Sequence, residues 1–112
     1  MIFETLFFFF DLLQPSNLTS LEHLYLAGND IGNKALSLVA NSLPNLKHLD
    51  ISWCSRIRDE GIQTLTALKN LKYLGLDFTR VSRKGVEPLL KSLPNLQLIQ
   101  LSNTKISNKG YR

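Results

Sequence analysis

The sequence predicts an α/β solenoid built from stacked strand–loop–helix units. Three observations carry that reading. Leu21, Leu46, Leu71 and Leu96 recur every 25 residues, and each opens a phrase of the form L-x-x-L-x-L: Leu21 to Leu26, Leu46 to Ile51, Leu71 to Leu76 and Leu96 to Leu101. A second apolar series, Leu18, Leu43, Leu68 and Leu93, runs three residues ahead in the same register. Each phrase is then followed by a loop and by helix-spaced apolar residues, so no unit can bury its apolar side alone. A fixed period of this size is the mark of a stacked array, and such arrays usually act as binding surfaces rather than as enclosed catalytic pockets.

Within a unit, the last two apolar residues of the phrase alternate with polar ones, which predicts a short strand with one buried face. A polar or small residue follows three positions on, at Asn29, Cys54, Thr79 and Thr104. Next come one aliphatic residue (Ile31, Ile57, Val81, Ile106) and one small residue (Ala35, Gly61, Gly85, Gly110). The helix-spaced pairs are Leu36 and Val39, Ile62 and Leu65, and Val86 and Leu89. The second unit has one extra loop residue before Ile57 and one fewer after Gly61, which keeps the period and predicts a shorter helix there. Asp59, Ser82 and Ser107 are positioned to cap helix starts. Pro88 fits a first turn, which predicts a third helix beginning near Glu87. Pro44 and Pro94 fall after helix ends, and Asn45, Asn70 and Asn95 occupy the turns into the next strand.

Composition sets the outer bounds. At 112 residues and a net charge of +4, the chain is one modest, mildly basic domain without blocks of like charge. A single cysteine, Cys54, rules out an internal disulfide and fits a reducing compartment. The apolar run from Leu6 to Phe10 is bracketed by Glu4 and Asp11, lacks a preceding Lys or Arg, and is too short to span a bilayer. Residues 1–17 therefore read as an apolar segment from a partial preceding repeat, and residues 18–112 as about 3.5 repeats of 25 residues, a fragment of a longer array. Asn17-Leu18-Thr19 matches a glycosylation sequon by chance once a secretory leader is set aside.

The run Leu46-x-x-Leu49-x-Ile51-x-x-Cys54-x-x-Ile57-x-Asp59-x-Gly61-Ile62-x-x-Leu65 resembles the cysteine-containing class of leucine-rich repeat, typical of F-box/leucine-rich-repeat proteins. The first repeat, with Asn29 and Ile31, is closer to the ribonuclease-inhibitor-like class. Cysteine stands in only one of the four repeats; the others carry Asn29, Thr79 and Thr104. The resemblance covers residues 18–112 and implies a curved solenoid, with a parallel sheet on the concave face and helices on the convex face. It also implies recognition of a protein target, often for an SCF-type ubiquitin ligase whose other components join through an F-box. The stretch from Glu4 to Leu18 faintly echoes an F-box opening but is too short to be one. Plant extracellular repeats carry Gly and Ile-Pro after the asparagine; that pattern is missing here, which favours the cytoplasm or nucleus.

Residues between the strand leucines form columns on the concave face. The first holds His23, His48, Tyr73 and Leu98, the second Tyr25, Asp50, Gly75 and Gln100, and the third Ala27, Ser52, Asp77 and Ser102. Gly28, Trp53, Phe78 and Asn103 lie just beyond. Parallel strands are about 4.8 Å apart, so column members are near neighbours. Trp53 and Phe78, side by side outside the core and near Tyr25 and Tyr73, are the expected binding anchors; His48, Asp50 and Asp77 are expected to set specificity. His48, Asp50 and Ser52 do not make a hydrolytic triad, because alternate strand residues are roughly 6.6 Å apart and a triad needs contacts near 3 Å. His23 and His48 lack the four ligands of a structural zinc site. No motif calls for a cofactor or a catalytic activity. Arg56, Arg58, Arg80, Arg83, Lys84, Lys105 and Lys109 gather in the loops after the strands as a basic edge. That edge supports an alternative role as an electrostatic binder of RNA or phosphoinositide, although no aromatic residues interleave with it as in nucleic-acid binders. A further alternative is a scaffold or inhibitor-type binder without a link to ubiquitin. Cys54 is expected in a buried slot behind the sheet.

Overall fold

The computed structural model describes residues 19–106. The expectations placed on residues 1–18 and 107–112, including the N-terminal segment, the F-box echo, the Ser107 cap and Lys109, lie outside them. Four three-residue strands form one parallel sheet in the order of the chain: β1 (His23–Tyr25), β2 (His48–Asp50), β3 (Tyr73–Gly75) and β4 (Leu98–Gln100). Between them lie α1 (Asn33–Ser42), α2 (Asp59–Gln63) continued by a 3-10 turn (Thr64–Ala67), and α3 (Arg83–Ser92). The pairing follows the 25-residue period: His23 faces His48, His48 faces Tyr73, and Tyr73 faces Leu98. The ladder continues past the strands. Leu26 N–H donates to the Asp50 carbonyl, Ile51 N–H to Gly75, and Leu76 N–H to Gln100, at 2.8, 3.0 and 2.9 Å.

Burial explains why the units need one another. Leu49, Ile51, Ile57, Ile62, Leu65, Leu68, Leu71, Leu74, Leu76, Val81 and Val86 are fully buried, and all belong to the middle of the stack. Leu21, Leu24, Leu96, Ile99 and Leu101 occupy the same pattern positions in the outer units and are only partly buried. Each unit contacts its neighbours alone, so the leucines of the strand phrases are completely buried only where a neighbour stands on both sides.

The third helix departs from expectation. It begins at Arg83, with Pro88 inside it, rather than near Glu87. Proline removes one helical hydrogen bond and crowds the preceding turn, yet Gly85, Val86 and Leu89 bury against the stack and hold the segment helical. The second helix is short, as the loop compensation predicts. The Thr64 and Thr66 hydroxyls donate back to the Gly61 and Gln63 carbonyls at 2.6 and 3.0 Å, an arrangement that competes with regular helix and accompanies the tighter turn.

Capping also differs from the expected local scheme. Asp59 is the first residue of its helix, Arg58 takes the cap position, and neither Arg58 nor Ser82 makes a side-chain bond to its own helix. The cap instead comes from the preceding unit. Asn33 Oδ1 accepts the Arg58 N–H at 3.1 Å, and Asp59 Oδ1 accepts the Ser82 N–H at 2.7 Å while Asp59 Oδ2 accepts the Ser82 hydroxyl. This placement explains the small residues three positions beyond Arg58 and Ser82. Gly61 lies against the Asn33 amide oxygen, and a Cβ on Gly85 would stand 2.5 Å from Asp59 Oδ1. An exposed helical Gly→Ala change normally stabilises by about 1 kcal/mol. Here the crowding outweighs that gain, and Gly85→Ala is expected to destabilise the chain by about 1 kcal/mol net. Urea unfolding measures it; a stabilised variant would show that the Asp59 carboxylate yields without cost.

Candidate functional site

The polar position after each strand anchors the loop. Asn29 Nδ2, the Thr79 hydroxyl and the Thr104 hydroxyl each donate to the carbonyl three residues back, at Leu26, Leu76 and Leu101. Cys54 is fully buried, as expected, but its thiol donates to Leu26 of the preceding unit at 3.4 Å. Burial, above all, pushes the Cys54 thiol up from its ordinary pKa, with the Asp50 and Asp30 carboxylates adding to the rise and backbone N–H groups opposing it. A thiol held protonated in the fold is unreactive, so alkylation at pH 8 is expected to be at least about 100-fold slower in the folded chain than in urea. A raised pKa means that the native state holds the proton more tightly. The stability contributed by Cys54 is therefore complete below the ordinary thiol range of about 8.5 and is lost as pH rises above it.

One position earlier in each loop, the backbone turns left-handed. Gly28, Trp53, Phe78 and Asn103 have φ of 79°, 64°, 58° and 56°. Glycine and asparagine suit this region, whereas a bulky aromatic there is a genuine outlier. Each of the first three keeps a rung bond to the next unit: Gly28 N–H to Ser52 O, Trp53 N–H to Asp77 O, and Phe78 N–H to Ser102 O, at 2.9, 2.7 and 2.8 Å. The backbone is thus fixed by the ladder, and the side chains are carried outward. The Trp53 and Phe78 rings lie parallel, with centroids 3.6 Å apart and planes 15° apart, while 58% and 37% of the two residues stay exposed. Strained aromatics held in the open are a recognised sign of a functional surface.

The strands place a second group beside the first. His23 stacks on His48 with centroids 4.4 Å apart, and Tyr73 tilts against His48 at 6.1 Å. Tyr25, 60% exposed, lies 6.4 Å from His23. Tyr25, His48, Lys72, Tyr73, Gln97 and Leu98 line a shallow hollow of about 450 Å³. Among the described residues no ring pair joins this group to Trp53 and Phe78, so the aromatics form two neighbouring clusters rather than one. The Tyr73 hydroxyl donates to Gln100 Oε1 at 2.8 Å. Its pKa is raised, first by desolvation and then by the negative charges of Asp50 and Asp77.

Both of those carboxylates turn toward the loop end of the sheet. Asp50 Oδ1 accepts the Ser52 N–H at 3.0 Å, and Asp77 Oδ1 accepts the Ser102 N–H at 2.8 Å. Ser52 is buried, and its Oγ accepts the Asp77 N–H at 3.1 Å. Asp50 Oδ1 and Ser52 are thus engaged in loop bonds, and among the described residues no side-chain hydrogen bond joins His48 to either of them. Among the described residues no group of three or more His, Cys, Asp or Glu is placed to hold a metal ion. Nor is any described helix long and apolar enough to cross a membrane.

On the basic edge, Arg56, Arg58, Arg80, Arg83, Lys84 and Lys105 are all exposed. Arg56 pairs with Asp30 at 3.5 Å and Arg83 with Glu87 at 3.1 Å, which lowers the positive charge of that edge. Exposed pairs of this kind contribute about 0–1 kcal/mol each.

A parallel sheet paired at a fixed period, buried leucines behind it and an anchoring Asn, Cys or Thr in each loop make an architecture of stacked repeats similar to leucine-rich repeats. Residues 17–40 and 42–66 each match the Leucine Rich repeat family model. Over 53 residues the chain is 40% identical to lysine-specific demethylase 2B of Mus musculus, a stretch covering 47% of this chain and 4% of that protein.

Proposed function

We propose that this chain is a non-enzymatic binding module that holds a protein ligand on the open face of its sheet. In this reading the four units form a curved solenoid, with the strands lining its concave side and the helices outside. The carrying observation is the exposed Trp53–Phe78 stack, fixed at left-handed backbone positions with no internal task that requires aromatic side chains. Tyr25, Tyr73, His48, Asp50 and Asp77 set specificity around it. The cysteine-containing form of the second repeat favours substrate recognition for an SCF-type ubiquitin ligase, acting in the cytoplasm or nucleus. The demethylase activity that names the mouse relative is not carried over, because the shared stretch is 4% of that protein.

Affinity purification with the wild-type chain and the Trp53→Ala/Phe78→Ala variant tests this. Proteins lost only with the variant are ligands of the open face, and ubiquitin-ligase subunits among the proteins retained by both support the ligase reading. Ligands without such subunits favour a scaffold or inhibitor-type binder. An unchanged set of proteins, with the fold of the variant intact, defeats the proposal. A second reading, RNA or phosphoinositide on the basic edge, rests on the exposed Arg58, Arg80, Lys84 and Lys105. It predicts affinity that falls steeply and linearly with log salt concentration.

A further inference from the structure

We infer that the ligand is an acidic segment of a protein, with carboxylates on Arg58 and Arg80 and an apolar side chain against the Trp53–Phe78 stack. This rests on the interaction-module reading and names the chemistry of its ligand. Beyond the strands, a second ladder joins the loops. Gly32 bridges to Arg56, Arg80 N–H donates to the Ile57 carbonyl at 3.2 Å, and Lys105 N–H donates to the Val81 carbonyl at 3.1 Å. Ile57 and Val81 are fully buried, so their chain neighbours Arg58 and Arg80 face outward, and both are exposed. The Arg80 bond sets these two residues on adjoining segments, which in a parallel ladder lie about 4.8 Å apart. The same two loops carry the rings: Trp53 precedes Arg58 by five residues, and Phe78 precedes Arg80 by two.

Among the described residues neither Arg58 nor Arg80 is in an ion pair. The carboxylates of these loops are engaged elsewhere: Asp30 pairs with Arg56, and both oxygens of Asp59 accept from Ser82. Glu60 stands in the first turn of α2 and pairs with neither arginine. Two like charges on adjoining segments repel one another. An anion set between them relieves that repulsion and accepts from both guanidinium forks. The overall charge of +4 also favours the approach of an acidic ligand. The stack then decides between protein and nucleic acid. Binders of single strands offer successive ring faces to successive bases, whereas Trp53 and Phe78 each spend one face on the other at 3.6 Å. Negative groups also flank the stack on the strand side. The Asp50 carboxylate lies over Gly75 beside the Tyr73 hydroxyl, and Asp77 Oδ1 accepts from Ser102. A continuous phosphate backbone would meet them. A peptide can set an apolar residue there and keep its acidic residues over the arginines.

Trp53 is the single tryptophan, so its fluorescence reports on the stack directly. Three peptides of equal length, built on Glu-Glu-Phe, Lys-Lys-Phe and Ser-Ser-Phe, and an oligouridine would be titrated at about physiological salt. The glutamate peptide is expected to give a saturable change in Trp53 emission. Arg58→Gln/Arg80→Gln is expected to lower its affinity at least about tenfold. Arg58→Lys/Arg80→Lys keeps the charge but not the forks, and is expected to bind several-fold more weakly than the wild-type chain. Lys69→Gln/Lys91→Gln removes the same charge from exposed positions near the C-terminal ends of the helical segments, and is expected to hold affinity within about twofold. Unchanged affinity in Arg58→Gln/Arg80→Gln overturns the inference. An equal loss in Lys69→Gln/Lys91→Gln also overturns it, because net charge rather than the arginine pair would then carry the binding. Tighter binding of the oligouridine overturns it in favour of the nucleic-acid reading. A saturable response to the lysine or serine peptide alone overturns it but leaves the face as a docking surface. Silence toward all four probes overturns both the inference and the choice of Trp53 as the anchor.

Discussion

Leu74→Ala is expected to lower the unfolding free energy by about 3–5 kcal/mol. Leu74 lies in β3, is fully buried, and pairs with Leu49 on one side and Ile99 on the other. Truncation leaves a void that neither neighbour can close, because both are fixed by the backbone ladder. Domain stabilities are about 5–15 kcal/mol, so one such change removes a large share. Leu24→Ala in β1 alters the same pattern position, but Leu24 is only partly buried. Its expected cost is about 1–2 kcal/mol. Urea midpoints at unchanged slope give both values. Equal costs for the two variants would contradict the nearest-neighbour account of burial.

Binding and stability are expected to separate at the aromatic stack. Trp53→Asn/Phe78→Asn replaces two strained residues with one that accepts φ near 60°, as Asn103 does at 56°. Relief of strain is worth about 1–3 kcal/mol per site. Against it stands the loss of the ring pair, about 0.5–1.5 kcal/mol, together with the partial burial of both rings. The net change in stability is therefore within about 1 kcal/mol of zero or positive. Affinity for the open-face ligand is expected to fall about 30-fold or more, the scale of a binding hot spot. Paired unfolding and binding measurements decide. A variant that loses stability and affinity together would mark the aromatics as structural.

Much of this was legible in the chain because the period carries position. Adding 25 to His23 gives His48, and the strands pair those two residues; the same arithmetic placed Trp53 beside Phe78. Burial of Cys54 and the short second helix followed from the same alignment of units. What escaped was geometry that a period does not encode. Local sequence signals place a cap within each helix, whereas Asn33 and Asp59 serve the helix after their own. α3 starts earlier than the sequence predicts because the penalty for Pro88 is local, while the burial that overrides it is not. The left-handed turn had a signal that was available: Gly28 and Asn103 share a column with the two aromatics, and both residue types favour positive φ. The separation of Tyr25, His48 and Tyr73 from that stack depends on ring orientation, which no spacing specifies.

The borrowed caps also give the chain a direction in time. Arg58 needs an oxygen from Asn33, and Ser82 needs one from Asp59; in both cases the acceptor lies earlier in the chain. On the ribosome, where the N-terminal part emerges first, each new helix start meets a partner that is already in place. Growth from the other end would leave every helix waiting for its predecessor. Vectorial synthesis and the dependence of one unit on the last therefore run the same way.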